Sequence, residues 1–391
     1  DIKLATLSDT DTANAVGAEL VTNGDFSNGT TGWAAYLSGT NFSVSNGQLV
    51  SVDDVLQSIT GLTIGKYYTF NYDKIAGSGI NLYNQADAST GSLGNSLPSG
   101  ALTWYATTTE LGVYVNANST IDNVTVRLAE VDRSVNNNGL QVFGTVTKTA
   151  VATGAELVGY SGFSTSTYFK QPYNADLNFG TGDFSIIIWV KPDSSMSAYP
   201  SVADRNAGAN SESSAWKLGI DEGNSAYYFF TNNASVITAT GDVLFGVWQQ
   251  VVAVRRSGVL YFYVNGILKE QGAMTNSITS TAGQLGVGRD GNHYLGNSSV
   301  ALLRLSATAP TAEQITKMYN DEKHLFATNA KATLYGTSNA VTALAYDDDT
   351  ELLHVGTSAG RSEFQGLNRV NNTTDAVGTA ISASNGFIVE E

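Results

Sequence analysis

The sequence contains no cysteine among its 391 residues, which excludes disulfide bonds, thiolate metal sites and a cysteine nucleophile, and leaves the redox compartment open. Charged residues are also scarce, at 14% of the chain. Twenty Lys and Arg stand against 35 Asp and Glu, a net charge of −15, and the cations form no cluster along the sequence. Because nucleic acids and anionic membranes are bound by clustered cations, we expect neither as a partner.

Long apolar runs are missing as well. No stretch approaches the roughly 20 apolar residues of a membrane span, so we expect a soluble protein. No basic-then-apolar leader is present, but the chain begins at Asp1, which makes that absence weak evidence. Forty glycines, abundant Ser, Thr and Asn, and 42% hydrophobic residues are typical of short strands joined by polar turns. We predict an all-β protein.

Strong strand signals run from residue 177 to residue 326. In the segment FSIIIWVK, apolar residues alternate onto both faces: one face takes Phe184, Ile186, Ile188 and Val190, and the other takes Ile187 and Trp189. Segments around Trp248 and Leu260 follow the same pattern. A strand that is apolar on both faces is typical of a central position in a sheet covered on both sides.

These strands, the turn VNG and the closing segment TAEQITKMYNDEKHLF resemble the laminin-G-like, concanavalin-A-like jelly rolls. The resemblance implies a two-sheet sandwich over residues 134–326 with a terminal helix, for which Thr311 is the predicted N-cap. It also implies that the second face of the central strands is a concave surface open to ligands, although Trp189 and Trp248 are expected in the core. Such sandwiches bind glycans or proteins and some carry hydrolase sites, so the fold alone does not decide the activity.

An earlier module is predicted over residues 19–133, after an arm of residues 1–18 that docks elsewhere. Its segments ELVTNGDFSNGTTGW, GLTIGKYYTFNYDKI and STIDNVTVRL resemble the carbohydrate-binding-module jelly rolls. One strand alternates aromatic and polar residues from Tyr68 to Tyr72, as a sandwich strand requires. The resemblance implies a structural calcium ion between the first and last strands, near Asp25 and Asp122.

The last segment, residues 327–391, contains two alternating apolar runs around an Asp-rich turn. We predict one β-hairpin, with Ala343 to Tyr346 pairing with Leu352 to Val355, and a solvated turn at residues 347–349. A lone hairpin cannot bury its own faces, so we expect this segment to pack against copies of itself or a neighbouring protein, with a homotrimer as the expected assembly.

Catalytic signatures are absent. Concanavalin-A-like glycanases usually present Glu-x-Asp-x-x-Glu on one strand, and that string does not occur. Only three histidines are available, at positions 293, 324 and 354, and no Gly-x-Ser-x-Gly elbow accompanies them. We therefore expect a protein that is not an enzyme and has no catalytic residues.

Sugars are held by aromatic rings that stack on their apolar faces and by polar side chains that bind their hydroxyls. Trp33 is expected to be structural, because the equivalent Trp in the resembling modules often is. The predicted ligand-binding residues are Tyr36, Tyr83, Trp104 and Tyr105 in the first module, and Trp216, Tyr227, Asn265, Asp290 and Tyr294 in the second.

The NGDFSNGTTGW opening, the QPYNADLNFGTGDFS stretch and the C-terminal segment together resemble bacteriophage tail-fibre, adsorption or capsid-decoration proteins. This implies a non-enzymatic protein of the virion surface, extracellular, that binds host-surface glycan and other virion proteins, with calcium as the one cofactor considered. Two alternatives stay open: a purely structural, capsid-stabilising protein, and a bacterial surface adhesin or accessory part of a glycan-degrading enzyme.

Overall fold

The computed structural model describes residues 5–7, 11–36, 41–134, 136, 138–206, 216–231, 234–238, 240–338 and 340–391. They form two β-sandwiches and a small C-terminal β-unit, with one α-helix, which confirms the predicted all-β class. Within these residues, no α-helix combines the length and the apolar content that a membrane span requires.

The N-terminal arm docks on the second sandwich. Its strands are β1 Ala5–Leu7 and β2 Ala15–Gly17. Strand β1 pairs antiparallel with residues 303–305, and β2 pairs antiparallel with residues 144–146. The arm therefore adds strands to a module that lies more than a hundred residues further along the chain.

In the described residues, the first sandwich contains ten strands in two sheets. They are β3 Ala34–Ala35, β4 Phe42–Ser45, β5 Gln48–Ser51, β6 Val55–Thr60, β7 Tyr67–Ala76, β8 Ile80–Tyr83, β9 Ser92–Gly94, β10 Gly100–Tyr105, β11 Glu110–Val115 and β12 Thr120–Glu130. One sheet has the order β3-β6-β11-β8-β9, and the other runs β4-β5-β12-β7-β10. The predicted alternation in β7 is confirmed, since Tyr68, Phe70 and Tyr72 are buried between the sheets. Trp33 lies in the same core.

The second sandwich follows directly. Its elements are β13 Leu140–Ala150, β14 Val158–Ser161, β15 Tyr168–Gln171, β16 Phe184–Lys191, β17 Ser201–Asn206, β18 Trp216–Asp221, β19 Ala226–Thr231, β20 Ala234–Ile237, β21 Gln249–Arg256, β22 Val259–Val264, β23 Ile267–Ala273, β24 Gln284–Val287, β25 Arg289–Asp290, β26 His293–Tyr294, β27 Ser299–Ser306, helix α1 Ala312–Glu322, and 3-10 helices at Ala175–Leu177 and Lys323–Phe326. One sheet runs β14-β27-β16-β21-β22-β23 and the other β15-β24-β17-β18-β19-β20.

Strand β13 joins the two modules. Its first residues pair with the end of β12 and with β15, and its last residues pair with β14. The amide nitrogen of Gly139 donates to the hydroxyl of Thr103 at 3.1 Å, and the Gln141 side chain donates to the Thr69 carbonyl at 3.4 Å. The second sandwich thus packs against the outer face of the sheet that contains β7 and β10.

Strand β16 is central and buried on both faces, as predicted, but its second face is not open to ligands. Ile187 on that face lies in a cluster with Ile315 of α1. The ring of Trp189 stacks on Phe326 with centroids 4.1 Å apart. The helix covers the surface that the resemblance assigned to a ligand, which corrects that expectation. The predicted N-cap is confirmed, because the Thr311 side chain accepts from the backbone of Gln314 in a capping box.

The C-terminal unit contains more strands than the predicted hairpin. They are β28 Val341–Asp347, β29 Leu352–Thr357, β30 Gly360–Gln365, β31 Asn368–Asn372, β32 Ile381–Ser384 and β33 Phe387–Glu390. The β28–β29 hairpin is confirmed, with Leu344 opposite Val355. The hairpin β32–β33 covers one face of the four-stranded sheet, where Val377 and Ile381 pack closely over Gly356. Because this unit buries a face within itself, the premise for assembly through an orphan hairpin no longer holds.

The turn at residues 347–349 is also not fully solvated. Asp347 is buried, and its carboxylate accepts hydrogen bonds from the amide nitrogens of Gly386 at 2.7 Å and Asp349 at 3.0 Å. These bonds lower the pKa of Asp347, with the Gly386 bond contributing most. The carboxylate therefore tethers the β32–β33 hairpin to the sheet.

Candidate functional site

Three tyrosines meet on the outer side of the sheet β3-β6-β11-β8-β9, and we call Tyr36, Tyr83 and Tyr114 the tyrosine face. The ring of Tyr36 lies edge-on to Tyr114 with centroids 4.8 Å apart and planes at 77°. Tyr83 approaches the same ring at 6.1 Å and 73°. Tyr114 is therefore the centre of the trio.

Strand alternation explains why these rings lie outside the core. In β11, Val113 and Val115 are fully buried, so Tyr114 between them projects to the opposite side of the sheet. In β8, Leu82 is fully buried and Tyr83 follows it on the outer side. All three tyrosines are only partly buried, and the packing of the first core does not require them.

Polar groups hold this surface in place. The Tyr114 hydroxyl donates to the carboxylate of Asp54, and burial followed by this contact raises the pKa of Tyr114 well above its usual value. Beside it, the amide of Asn81 donates to Asn116 at 2.9 Å and accepts from Asn116 at 3.0 Å. The tyrosine face is thus built on side chains with fixed positions.

The sequence predicted two of these residues and missed the third. Tyr36 and Tyr83 were predicted as ligand-binding, and the structure brings them together through Tyr114. The alternation in LGVYV could have indicated Tyr114, since its neighbours are apolar on the other face. Tyr105, also predicted, lies on the other sheet, where its half-exposed ring packs edge-on against Tyr67 at 5.2 Å. It does not join the trio.

The predictions for Trp104, Trp216 and Tyr227 are corrected by their burial. Trp104 is 9% exposed and packs against Tyr68 at 5.9 Å in the first core. Trp216 and Tyr227 have no exposed surface. The Tyr227 hydroxyl donates to the side chain of Gln249 at 3.0 Å, and burial raises the pKa of Tyr227. None of these rings offers a face on which a sugar could stack.

The polar residues predicted in the second module do not form one site. Asn265 lies in the β22–β23 turn with φ of 53°, and its side chain accepts from the Gln250 amide nitrogen at 2.9 Å. Asn265 is therefore a turn residue. Asp290 and Tyr294 lie in the separate two-stranded β25–β26 hairpin, where Asp290 forms an ion pair with Lys217 at 3.5 Å.

Asp204, which the sequence analysis missed, is buried near Asp290. Its carboxyl accepts a hydrogen bond from the Ser201 hydroxyl at 2.9 Å, and the residue is 4% exposed. Burial, followed by the charge of Asp290, raises the pKa of Asp204 to about 8. A neutral carboxyl beside an ionised one has the chemistry of a general acid. Its burial, however, keeps Asp204 from contact with a substrate.

The predicted calcium ligands lie near each other at one end of the first sandwich. The Asp25 carboxylate accepts from the Ser27 hydroxyl at 2.9 Å, and Asp122 accepts from the Asn123 amide nitrogen at 2.7 Å. The pKa of Asp122 is raised by burial and then by the charges of Asp73 and Asp25. In the part of the chain that the structure describes, no three acidic or histidine side chains converge on one point. Two carboxylates supply only part of the roughly six to eight oxygens that calcium takes.

A concave surface, which we call the junction cleft, lies between the modules and has a volume of about 780 Å³. Its walls are mostly amides, hydroxyls and carboxylates, with the exposed ring of Tyr173 among them. The Gln171 side chain fixes one wall by donating to the Asn138 carbonyl at 2.7 Å. The cleft is lined by Asn71, Asp73, Ser99, Gly100, Ala101, Thr103, Asn136, Asn138, Gly139, Gln171, Pro172, Tyr173, Asn174, Ala175, Asp176, Thr281, Ala282 and Gln284.

Residues 163–316 match a family model described as the concanavalin A-like lectin/glucanases superfamily, within the laminin-G group. The match covers most of the second sandwich, and the two-sheet β-sandwich found there agrees with the jelly-roll architecture that its sequence predicted. No curated protein matches the sequence.

Several solved structures align with part of this chain. The binding domain of Paraclostridial Mosquitocidal Protein 1 is 13% identical with a TM-score of 0.41, covering 59% of this chain and 62% of that one, which is less than two thirds of its length. Another is domain 4 of AbnA, a GH43 extracellular arabinanase from Geobacillus stearothermophilus, in complex with arabinotriose. It is 15% identical with a TM-score of 0.38, and the alignment covers 48% of this chain and 92% of that one. The CBM40 of Ruminococcus gnavus IT-sialidase, bound to α2,3-sialyllactose, is 13% identical with a TM-score of 0.32. The alignment covers 38% of this chain and 92% of that one.

Proposed function

We propose that this protein is a non-enzymatic glycan-binding protein and that the tyrosine face is its sugar-binding surface. One observation carries the proposal: Tyr36, Tyr83 and Tyr114 gather on the outer face of a sheet whose core does not require them. Partly exposed aromatic rings held in fixed positions are suited to the apolar faces of sugar rings. The lectin superfamily match of the second sandwich supports the same class of function.

Binding at this surface requires no cofactor and no movement of the backbone. A sugar ring packs on Tyr36 or Tyr83, and their hydroxyls and the neighbouring amide of Asn81 lie within the same patch. A shallow surface of this kind gives weak single-site affinity, on the order of millimolar to micromolar. Display of several copies converts it into useful avidity.

The test is binding of the purified chain to a glycan array, followed by titration of the best glycan. Tyr36→Ala and Tyr83→Ala are expected to weaken binding at least about tenfold, equivalent to ~1.4 kcal/mol. Tyr199→Ala, which removes an exposed tyrosine from the second sandwich, serves as the matched control. Unchanged binding by both variants contradicts the proposed surface. Loss of binding in Tyr173→Ala alone assigns the sugar to the junction cleft instead.

We further propose that the chain is displayed on a virion surface, as a tail-fibre or head-decoration protein that contacts other virion proteins and assembles as a homotrimer. The resemblance of three segments to bacteriophage adsorption proteins supports this. So do the apolar side chains that the C-terminal unit exposes, among them Leu344 at 61% and Phe387 at 79%. Light scattering on the full chain tests the assembly: a trimer that dissociates in Leu344→Asp or Phe387→Asp is expected, and a monomeric wild type contradicts it.

A purely structural role is the second candidate. The burial of Trp104, Trp216 and Tyr227 favours it, since three expected ligand residues instead stabilise the cores. The solvent-facing tyrosines count against it. A chain that ignores every glycan on the array and stabilises an assembled particle would establish the structural role.

A further inference from the structure

Two aromatic rings and two guanidinium groups form a four-layer stack where the modules meet. Phe143 of β13 and Tyr168 of β15 are cross-strand neighbours whose rings stack at 4.6 Å with planes 6° apart. The guanidinium carbon of Arg127 lies 4.1 Å from the Phe143 ring centroid, and that of Arg289 lies 4.4 Å from the Tyr168 centroid. Because the rings cover each other's inner faces, each cation covers an outer one.

Lys170 adds a third cation beside the stack. It follows Tyr168 by two residues on β15, so both side chains lie on the same face of the strand. Its ammonium nitrogen is 5.8 Å from the Phe143 centroid. We call Arg127, Lys170 and Arg289, together with the two rings, the cation stack.

Within the part of the chain that is described, only one of the three cations in this cluster forms an ion pair with an acid. Arg127 has a carboxylate partner, Glu19, at 3.1 Å. Among the described residues, the Lys170 ammonium has no ion pair or hydrogen-bonding partner, and the Arg289 side chain donates only through Nε, to the Gly291 carbonyl at 2.7 Å. The neighbouring Asp290 is paired with Lys217. Two cations with free donors therefore lie close enough to repel each other, in a chain whose net charge is −15.

Electrostatics disfavour this arrangement unless an anion is present. Burial lowers the pKa of Lys170, and the charges of Arg289 and Arg127 lower it further. Asp204, a buried carboxyl that interacts with Arg289, has its pKa raised to about 8, mainly by burial, and carries little negative charge at neutral pH. A bound carboxylate would relieve the repulsion and accept hydrogen bonds from both free cations.

We propose that Lys170 and Arg289 form an anion-binding site for the carboxylate of an acidic sugar, such as a uronic acid unit of a host glycan. This rests on the proposed glycan binding but uses a surface separate from the tyrosine face. The rings of Phe143 and Tyr168 are occupied on both faces, so they position the cations and do not stack on the sugar. The site therefore recognises charge, and it gives the protein a preference for acidic over neutral glycans.

The test uses two polymers that differ only in charge: polygalacturonate and its fully methyl-esterified form. The full chain is run by affinity electrophoresis in gels containing each polymer. We expect retardation by polygalacturonate at least about tenfold stronger than by the ester, weakening steeply with salt. Lys170→Gln is expected to abolish the difference, and Lys170→Arg to restore it. Lys323→Gln, which removes one exposed positive charge elsewhere, is the matched control and should retain the difference.

The outcomes separate this inference from the proposed function. Equal retardation by both polymers, or a Lys170→Gln variant that still distinguishes them, overturns the anion site even if Tyr36→Ala weakens binding to a neutral glycan. Lys170-dependent retardation that Tyr36→Ala leaves unchanged supports the anion site as a separate surface, and the titration of a neutral glycan with Tyr36→Ala then tests the tyrosine face by itself. Competition by inorganic sulfate as strong as by galacturonate at equal concentration overturns the assignment to a sugar carboxylate. Thermal unfolding of each variant verifies that it is folded.

Discussion

The indole nitrogen of Trp189 donates a 2.6 Å hydrogen bond to the carboxylate of Glu322, the last residue of α1. The same carboxylate accepts from the Gln250 side chain at 3.2 Å and from Arg304 at 2.8 Å. Glu322 is 2% exposed. One buried acid thus fastens the helix to three strands of the second sandwich, β16, β21 and β27.

Removal of this acid should be severely destabilising. Glu322→Ala leaves the buried Trp189 donor and the half-buried Arg304 cation without this partner, and breaking a buried pair in this way costs about 3–5 kcal/mol. We expect a loss of that size in the free energy of unfolding measured with urea. Glu313→Ala, in the exposed first turn of the same helix, should cost a few tenths to ~1 kcal/mol. Similar losses in the two variants would contradict the role assigned to Glu322.

The buried carboxyl of Asp204 predicts a pH dependence of stability. Its pKa in the fold is about 8, raised mainly by burial and then by Asp290, whereas an unfolded Asp titrates near ~4. Between these values the native state holds a proton that the unfolded state has released. The stabilisation that this proton on Asp204 gives the native state is therefore complete below about pH 4. It is lost as the pH rises through about 8, and the free energy of unfolding falls by up to ~1.4 kcal/mol per pH unit.

The measurement for Asp204 is urea unfolding at intervals between about pH 5 and 8, in the wild type and in Asp204→Asn. Asn keeps an acceptor for the Ser201 hydroxyl but cannot ionise. We expect the stability of the variant to fall less with pH than that of the wild type. Parallel curves for the two proteins would show that Asp204 does not carry this dependence.

Local periodicity predicted the elements whose signals are local. Burial of β16 on both faces, the Thr311 cap and the β28–β29 hairpin each follow from a pattern within one short segment. The pattern does not say what covers a face. For this reason α1 occupies the surface beside Trp189 that was expected to hold a ligand, and Trp216, taken for a ligand residue, lies inside the core.

The candidate sites depend on contacts between distant segments, and the sequence indicated them only in part. Tyr36 and Tyr83 were selected because they lie near loops, but the ring between them, Tyr114, belongs to a strand. The absence of a basic cluster along the sequence also did not exclude one in space. Lys170 belongs to β15 and Arg289 to the separate β25–β26 hairpin, and only the folded chain brings them to the stacked pair of Phe143 and Tyr168.

Calcium at Asp25 and Asp122 stays a prediction and can be measured by thermal unfolding. If the ion binds there, calcium raises the melting temperature of the wild type relative to EDTA, by the equivalent of ~2.7 kcal/mol at a hundredfold excess over Kd. Asp122→Asn should abolish the rise. Asp87→Asn is a matched control, since Asp87 accepts from Ser89 just as Asp25 accepts from Ser27. A wild type that melts at one temperature in both conditions contradicts the prediction.

The C-terminal unit is attached to the second sandwich through Glu156. Its carboxylate accepts from the amide nitrogens of Ala332 at 2.9 Å and Thr333 at 3.0 Å, and lies 3.5 Å from the guanidinium of Arg369. Burial opposes ionisation, but these contacts outweigh it and lower the pKa of Glu156. The ionised Glu156 therefore stabilises the attachment at pH values above the usual pKa of a glutamate, and the attachment weakens as the pH falls through the lowered pKa of Glu156.

Glu156→Gln should loosen this attachment without unfolding the sandwiches, because hydrogen bonds to a charged acceptor contribute about 1.5–3 kcal/mol each and Gln replaces them only in part. We expect limited proteolysis to cut within residues 327–340 several times faster in the variant, while the main thermal transition changes little. Glu351→Gln, which alters an exposed turn of the same unit, should be cut at the wild-type rate. Cleavage at the wild-type rate in Glu156→Gln would mean that the packing of Phe326 and Ala330 against the sandwich holds the unit without the carboxylate.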